Sequence, residues 1–191
     1  MNGSLWLAVK SDDSVIKTMY FYLSLGSNIE PERSAVQMLQ ELVGRFGCLA
    51  LFPFCFTEPE KIVSERMFAN ALVVLKSPLD LLQVKTQLVE IETRMGRDRD
   101  DPQRSNKSRA ADIDIIAASS TFALSFFEQA NEAYVQTCLA LEGPFVDLSP
   151  WGLAAHQRPA TVHLDAAAAQ IVVVEDEAHG FIDWAESALT S

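Results

Sequence analysis

The period of hydrophobic residues switches repeatedly between positions 20 and 117, and the order of those switches limits the fold more than any other property of this sequence. Residues 20–25 are an aromatic and aliphatic run closing on Gly26-Ser27-Asn28, which reads as a strand entering a turn. Pro31 stands where a first helical position tolerates it, and Val36, Leu39, Leu42, Val43 and Phe46 recur at three and four residues until Gly47. Residues 48–56 are apolar around Pro53, the pattern of a strand that lies at an edge or carries a bulge, and residues 70–75 form a shorter strand. Ser77-Pro78-Leu79-Asp80 offers an N-cap hydroxyl, a proline for the first helical position and a carboxylate three residues after the cap. Leu81, Leu82, Lys85, Leu88, Val89, Glu92 and Met95 follow at helical spacing, and Gly96 ends the run. Residues 97–109 are polar and without period, a long loop, and residues 110–117 are a further strand.

Strand, helix, strand, strand, helix, strand is the order of an α+β, ferredoxin-like βαββαβ core: an antiparallel sheet with both helices on one face and the other face open to a ligand. Beyond residue 119 the pattern weakens into a C-terminal extension. Residues 125–141 read as helical, 171–174 as a short strand, 181–189 as a terminal helix, and the alanines at 166–169 favour helix by propensity. Nothing in the composition cuts off a second domain, so residues 19–191 read as one domain and residues 1–18 as an N-terminal extension. Cys48, Cys55 and Cys138, an odd count without Cys-x-x-Cys spacing, argue against structural zinc or a disulfide framework; Cys48 and Cys55, inside an apolar run, read as small buried hydrophobes, and the protein as reducing and cytoplasmic. No run approaches the roughly 18 apolar residues of a membrane span.

Residues 112–115 read Asp-Ile-Asp-Ile. Period-two alternation sends Ile113 and Ile115 to one face of the strand and Asp112 and Asp114 to the other. Twice the strand rise sets the two carboxylates about 7 Å apart on the same side. Such a pair repels itself, and burial adds a desolvation cost. A divalent cation with a preference for oxygen, such as Mg²⁺, resolves both; so do solvent over an open strand face and neighbouring arginines. The preceding loop carries Arg97, Arg99, Arg104, Lys107 and Arg109 against Asp98, Asp100 and Asp101. Cations for the oxygens of a polyphosphate beside carboxylates for its metals form the set of groups that phosphoryl transfer needs.

Here the sequence resembles a known family. Leu25-Gly26-Ser27-Asn28, then Thr57, Phe68-x-Asn70, Glu92, Gly96-Arg97 and finally Arg109-x-x-Asp112-Ile113-Asp114-Ile115 occur in the order seen in hydroxymethyldihydropterin pyrophosphokinases, over about residues 20–118. Those enzymes of folate biosynthesis move the terminal diphosphate of ATP to the hydroxymethyl group of a reduced pterin. The resemblance implies that Asp112 and Asp114 hold two Mg²⁺ ions and that Arg97 and Arg109, with Arg99, steady the ATP phosphates while Glu92 lies on the nucleotide side. It also implies that Asn70 hydrogen-bonds the pterin edge, with Gly26, Asn28, Thr57, Phe68 and Tyr134 around the ring. An asparagine suits a heterocycle that presents both donors and acceptors.

The departures concern charge. Formal net charge is −11, yet residues 1–109 hold 14 bases and 14 acids, while residues 110–191 hold 12 acids and a single base, Arg158. Such a balance argues against nucleic acid and anionic membrane as partners and leaves small molecules, acted on by a monomer or weak homodimer. Family members carry Gly-Pro-Arg or Ala-Pro-Arg ahead of the aspartates, where this chain has Lys107-Ser108-Arg109. They also carry Pro-His and then Arg-x-Phe after the last aspartate strand. Residues 118–157 contain no Arg or Lys and no His before His156; Tyr134 stands in the place of the aromatic ring and Glu132 near that of the arginine, where a carboxylate repels phosphate. His156, Arg158, His163 and His179 read as ordinary surface or core residues. Three readings stay open: a working Mg²⁺-dependent pyrophosphokinase, a catalytically impaired homologue that binds pterin or nucleotide, and an acidic interaction domain.

Overall fold

The computed structural model describes residues 18–59, 66–98, 108–141, 143–154, 157–165 and 170–175. The elements run β1 (Met19–Ser27), α1 (Pro31–Phe46), β2 (Leu49–Leu51), β3 (Cys55–Thr57), β4 (Phe68–Ser77), α2 (Leu81–Arg94), β5 (Asp112–Ser119), α3 (Ser125–Glu128), α4 (Ala133–Ala140), β6 (Ala160–Asp165) and β7 (Gln170–Glu175). Every described strand pairing is antiparallel. The sheet order is β5-β1-β4-β2-β6-β7, with β3 also on β4, so the α+β ferredoxin-like core is present and β6 and β7 extend it beyond β2.

Pleating divides the sheet into two apolar faces. Phe21, Leu23 and Leu25 of β1 and Ala69, Ala71, Val73 and Leu75 of β4 meet α1 and α2 in the larger core. Helix α1 presents Val36, Leu39, Leu42 and Val43 to it, as their spacing predicts. Helix α2 turns Val84, Leu88 and Ile91 inward, whereas Leu81, Leu82 and Lys85, placed on the sequence-predicted stripe, are exposed. The start of the helix differs from the expectation as well. Ser77 is the last residue of β4, and the cap is Asp80: its carboxylate accepts from Gln83 N at 2.8 Å while the Gln83 side chain accepts from Asp80 N at 2.9 Å. Ser77 accepts from Leu79 N instead, so Pro78 lies in a turn ahead of the helix.

Residues 48–56 do not make one strand. Pro53 has no N–H to donate, and the run splits into β2 and β3, both on β4. Strand β2 is interior, because β6 pairs its other side. That hairpin strand, Ala-Thr-Val-His-Leu-Asp, escaped the sequence reading although it alternates. The second sheet face is less open than the sequence suggests. Residues 125–141 form two helices broken at 129–132, and Phe127, Val135 and Cys138 close against Tyr22, Phe52, Cys55, Leu72 and Val74. Tyr22 anchors this layer: its ring lies 4.9 Å from that of Phe126 and 5.3 Å from that of Phe127, and its hydroxyl accepts from Ala123 N at 2.7 Å. The expected helices over 166–169 and 181–189 fall outside the described residues. Among the described residues no helix is long and apolar enough to cross a membrane.

Candidate active site

What remains open on the second face lies at the β5 end of the sheet. Register brings three candidate residues into one row: Gly26 pairs with Asn70 on one side and with Asp112 on the other. In the next row Ser24 pairs with Asp114. Residues distant in sequence are thus neighbours about 4.8 Å apart across the strands, and the alternation of Asp112 and Asp114 with Ile113 and Ile115 is the one expected. A register irregularity next to Leu23 leaves Ile116 without a partner on β1.

Gly26 has no side chain because Asn70 lies over it. A Cβ built there would meet Asn70 Oδ1 at 2.6 Å and Phe68 Cδ1 at 3.8 Å. Asn70 is nearly buried and donates through Nδ2 to Thr57 Oγ1 at 2.6 Å, so Gly26, Thr57, Phe68 and Asn70 form one patch. Asn28 is placed differently. It is 1% exposed, accepts from Arg109 N at 2.8 Å and donates to Ser108 Oγ at 3.2 Å, while Ser27 Oγ donates to Arg109 O at 3.3 Å. The Gly-Ser-Asn turn therefore clamps the backbone that delivers Arg109 to the site.

The carboxylates are the most heavily engaged groups here. Arg97 Nη1 reaches Asp112 Oδ1 and Arg109 Nη1 reaches Asp112 Oδ2, each at 2.5 Å. Behind them Glu92, 1% exposed, accepts from Arg97 Nη1 and from Ile113 N at 2.9 Å, tying the end of α2 to the start of β5. Asp112 is thus satisfied by neighbouring arginines, one of the outcomes that the bare spacing allowed. Asp114 is not: among the described residues no hydrogen bond or ion pair engages it. Loss of solvent on its inner side, then the charges of Asp112 and Glu92, raise its pKa above the ordinary aspartate value against the pull of Arg97 and Arg109. Asp112, Asp114 and Glu92 face two guanidinium groups, a deficit of positive charge that a divalent cation would relieve. Among the described residues no group of three or more His, Cys, Asp or Glu has metal-holding geometry, so the oxygen pair is what the protein offers. Arg99 lies outside the described residues, with Arg104 and Lys107.

Asp114 separates two clefts. One, of about 600 Å³, runs along the outer edge of β5 beside α2 and is lined by Lys85, Leu88, Val89 and Arg97. The other, of about 510 Å³, lies under α3 and α4 and is lined by Ser24, Phe126, Gln129, Asn131, Glu132 and Tyr134. Ser24, not singled out from sequence, shares a hydrogen bond of 3.3 Å with the Tyr134 hydroxyl. His163 stands on β6, four strands from β5 and roughly 19 Å away by strand spacing, so it lies far from the two aspartates.

Burial, opposed by Ser24 and reinforced by Asp114 and Glu132, pushes the Tyr134 phenol up to about 12. Burial also raises Tyr20 and Tyr22. These are the three tyrosines of the chain. Raised folded values mean that the unfolded chain gives up phenolic protons first, so stability is to fall once pH exceeds the ordinary 10.0, over a window reaching about 12 for Tyr134. Tyrosinate absorbance in the folded protein should lag that of the denatured chain; coincident titrations centred at the ordinary value contradict this.

The description of the 7,8-dihydro-6-hydroxymethylpterin-pyrophosphokinase family matches residues 22–144. The chain belongs to that family. Relatives from two strains of Porphyromonas gingivalis, each named 2-amino-4-hydroxy-6-hydroxymethyldihydropteridine pyrophosphokinase, are 42% identical to it over 109 residues, which span 51% of this chain and 68% of each relative. Strands β6 and β7 lie outside the family match.

Proposed function

We propose that the chain transfers the terminal diphosphate of ATP to the hydroxymethyl group of a reduced pterin, the activity named for its relatives. The observation that carries this reading is the row Asp112, Gly26, Asn70 across three strands, with an amide on one side of the glycine and, on the other, a carboxylate flanked by two guanidinium groups. Asn70 and Thr57 hold the polar edge of the pterin, Gly26 leaves room for it, and Phe68 and Tyr134 flank its faces. ATP lies along the cleft between α2 and β5. Arg97 and Arg109, with Arg99, take the polyphosphate oxygens, which compete with Asp112 for the same guanidinium groups and so free its carboxylate. Asp112 and Asp114 are the residues that hold two Mg²⁺ ions, whose chemistry is to spread the charge of the transferring group. Glu92 and Asn28 act one layer back, through Arg97 and Arg109. The same reading makes residues 19–191 one cytoplasmic domain after an extension at 1–18, a monomer or weak homodimer with no nucleic-acid or membrane partner.

Incubation with ATP, Mg²⁺ and hydroxymethyldihydropterin should release AMP. Asp112→Ala and Asp114→Ala are each expected to slow that release by at least about a hundredfold, the scale lost with one charge-stabilising group. Equal release by all three proteins sinks the proposal. A second reading has its own observation: among the described residues, the cleft under α3 and α4 is lined by Glu132 and Asp114 without Lys, Arg or His. Pterin binding by calorimetry in a protein that releases no AMP identifies a binding homologue instead.

A further inference from the structure

On the second face of β1 the residues shrink toward the site, from Tyr20 and Tyr22 to Ser24 and then Gly26. Tyr22 belongs to the closed aromatic layer, whereas Gly26 lies in the row with Asn70 and Asp112. Ser24 stands at the boundary, between Leu72 of β4 and Asp114 of β5. It is 4% exposed, and a hydroxyl so far from water costs stability unless it is bonded. Its side-chain bond among the described residues is the one of 3.3 Å shared with Tyr134. Tyr134 packs half-buried against the second core and lines, with Ser24, the cleft under α3 and α4. One turn further along α4 the Cys138 thiol donates to the Asn70 carbonyl at 3.4 Å. Helix α4 is therefore tied to the sheet at two points, to β1 in the row of Asp114 and to β4 in the row of Asp112.

We propose that Ser24 is a positioning residue for the pterin: by holding the Tyr134 hydroxyl it fixes that ring beside the Gly26 row before the ligand arrives. The proposal rests on the functional reading above, in which Tyr134 flanks the pterin. Tyr134 needs such a tie because it is the second residue of α4, and Glu132 at the cap position makes no side-chain cap bond. An uncapped first turn frays, so the backbone alone holds the ring loosely. The Cys138 contact steadies the helix, and the Ser24 bond steadies the far end of the side chain. Without that bond the ring turns about its two torsions and is ordered only when ligand binds, which costs affinity. Neither Ser24 nor Tyr134 is among the described residues that line the cleft beside α2, where ATP is placed, so the effect falls on the pterin and not on the nucleotide.

In protein with labelled tyrosine ring carbons, the Tyr134 signal is assigned by its loss in Tyr134→Phe. Without ligand it should move in Ser24→Ala and return toward its original position in Ser24→Thr, which keeps the hydroxyl. A signal that Ser24→Ala leaves in place overturns the proposal. By calorimetry, Ser24→Ala and Tyr134→Phe should each weaken hydroxymethyldihydropterin binding about fivefold, the scale of ordering one side chain. Both substitutions remove the same bond, so the double variant should lose no more than either single one. In AMP release the loss in Ser24→Ala should appear in the KM for pterin, with kcat and the KM for ATP within about twofold of the unaltered protein. Unchanged pterin affinity, penalties that multiply in the double variant, or a loss confined to kcat overturns the proposal. Where the extra methyl of threonine prevents folding, the cycle of Ser24→Ala with Tyr134→Phe decides alone. Failure of the unaltered protein to bind pterin counts against the functional reading, and the ring signal still decides whether Ser24 holds Tyr134.

Discussion

Glu92→Ala is expected to lower the free energy of unfolding by about 3 kcal/mol, the scale on which one partner is removed from a buried ion pair. The Glu92 carboxylate is 1% exposed and serves two donors, the Arg97 guanidinium and Ile113 N, which lose their acceptor together. Arg97 keeps Asp112, which holds the loss at the lower end of the range. Glu92→Gln should recover part of it, since an amide oxygen still accepts from Ile113 N while the charge is gone. Denaturant titration measures both variants. A loss below about 1 kcal/mol for the alanine variant would show that water or a rearranged Arg97 replaces the carboxylate.

Gly26→Ala has the second large effect, and it separates packing from binding. Its Cβ falls 2.6 Å from Asn70 Oδ1, and that oxygen cannot swing clear while Nδ2 is held by Thr57 at 2.6 Å. Overpacking of this kind costs about 1–3 kcal/mol. Under the proposed function the ring loses its hydrogen-bonding partner as well, so pterin affinity should fall at least about tenfold, equivalent to about 1.4 kcal/mol. The decisive measurement is a double-mutant cycle with Asn70→Ala. Removal of the clashing atom should relieve most of the stability penalty of the alanine at 26; additive penalties would place the strain elsewhere.

These two residues also show what a sequence discloses and what it withholds. Asp112 and Asp114 were legible because a strand has a period of two and Ile113 and Ile115 require the buried side. Gly26 and Asn70 each stood out as a glycine before a turn and an amide in an apolar strand. Their mutual contact depends on register, a property of two distant segments at once. Glu92 sits on a helix where a glutamate ordinarily faces water, and only the arrival of β5 over the end of α2 buries it. The start of α2 was misplaced because Ser77 and Asp80 are both good caps three residues apart. The length of β4 decides between them by claiming Ser77. Ser24 gave no signal at all, since a small hydroxyl in a strand is unremarkable until Tyr134 is placed above it.

Strand β5 is the last of the core strands in sequence, and it pairs with β1, the first. A ribosome must therefore release nearly the whole core before Asp112 meets Gly26. Contacts of such long sequence separation carry the largest loop-closure cost and are slow to form. Helices α1 and α2 and the pairing of β1 with β4 can precede them. The carboxylate row is in this way a late acquisition of the folding chain, so under the proposed function acquisition of ligand binding during refolding reports completion of the sheet rather than collapse of its core.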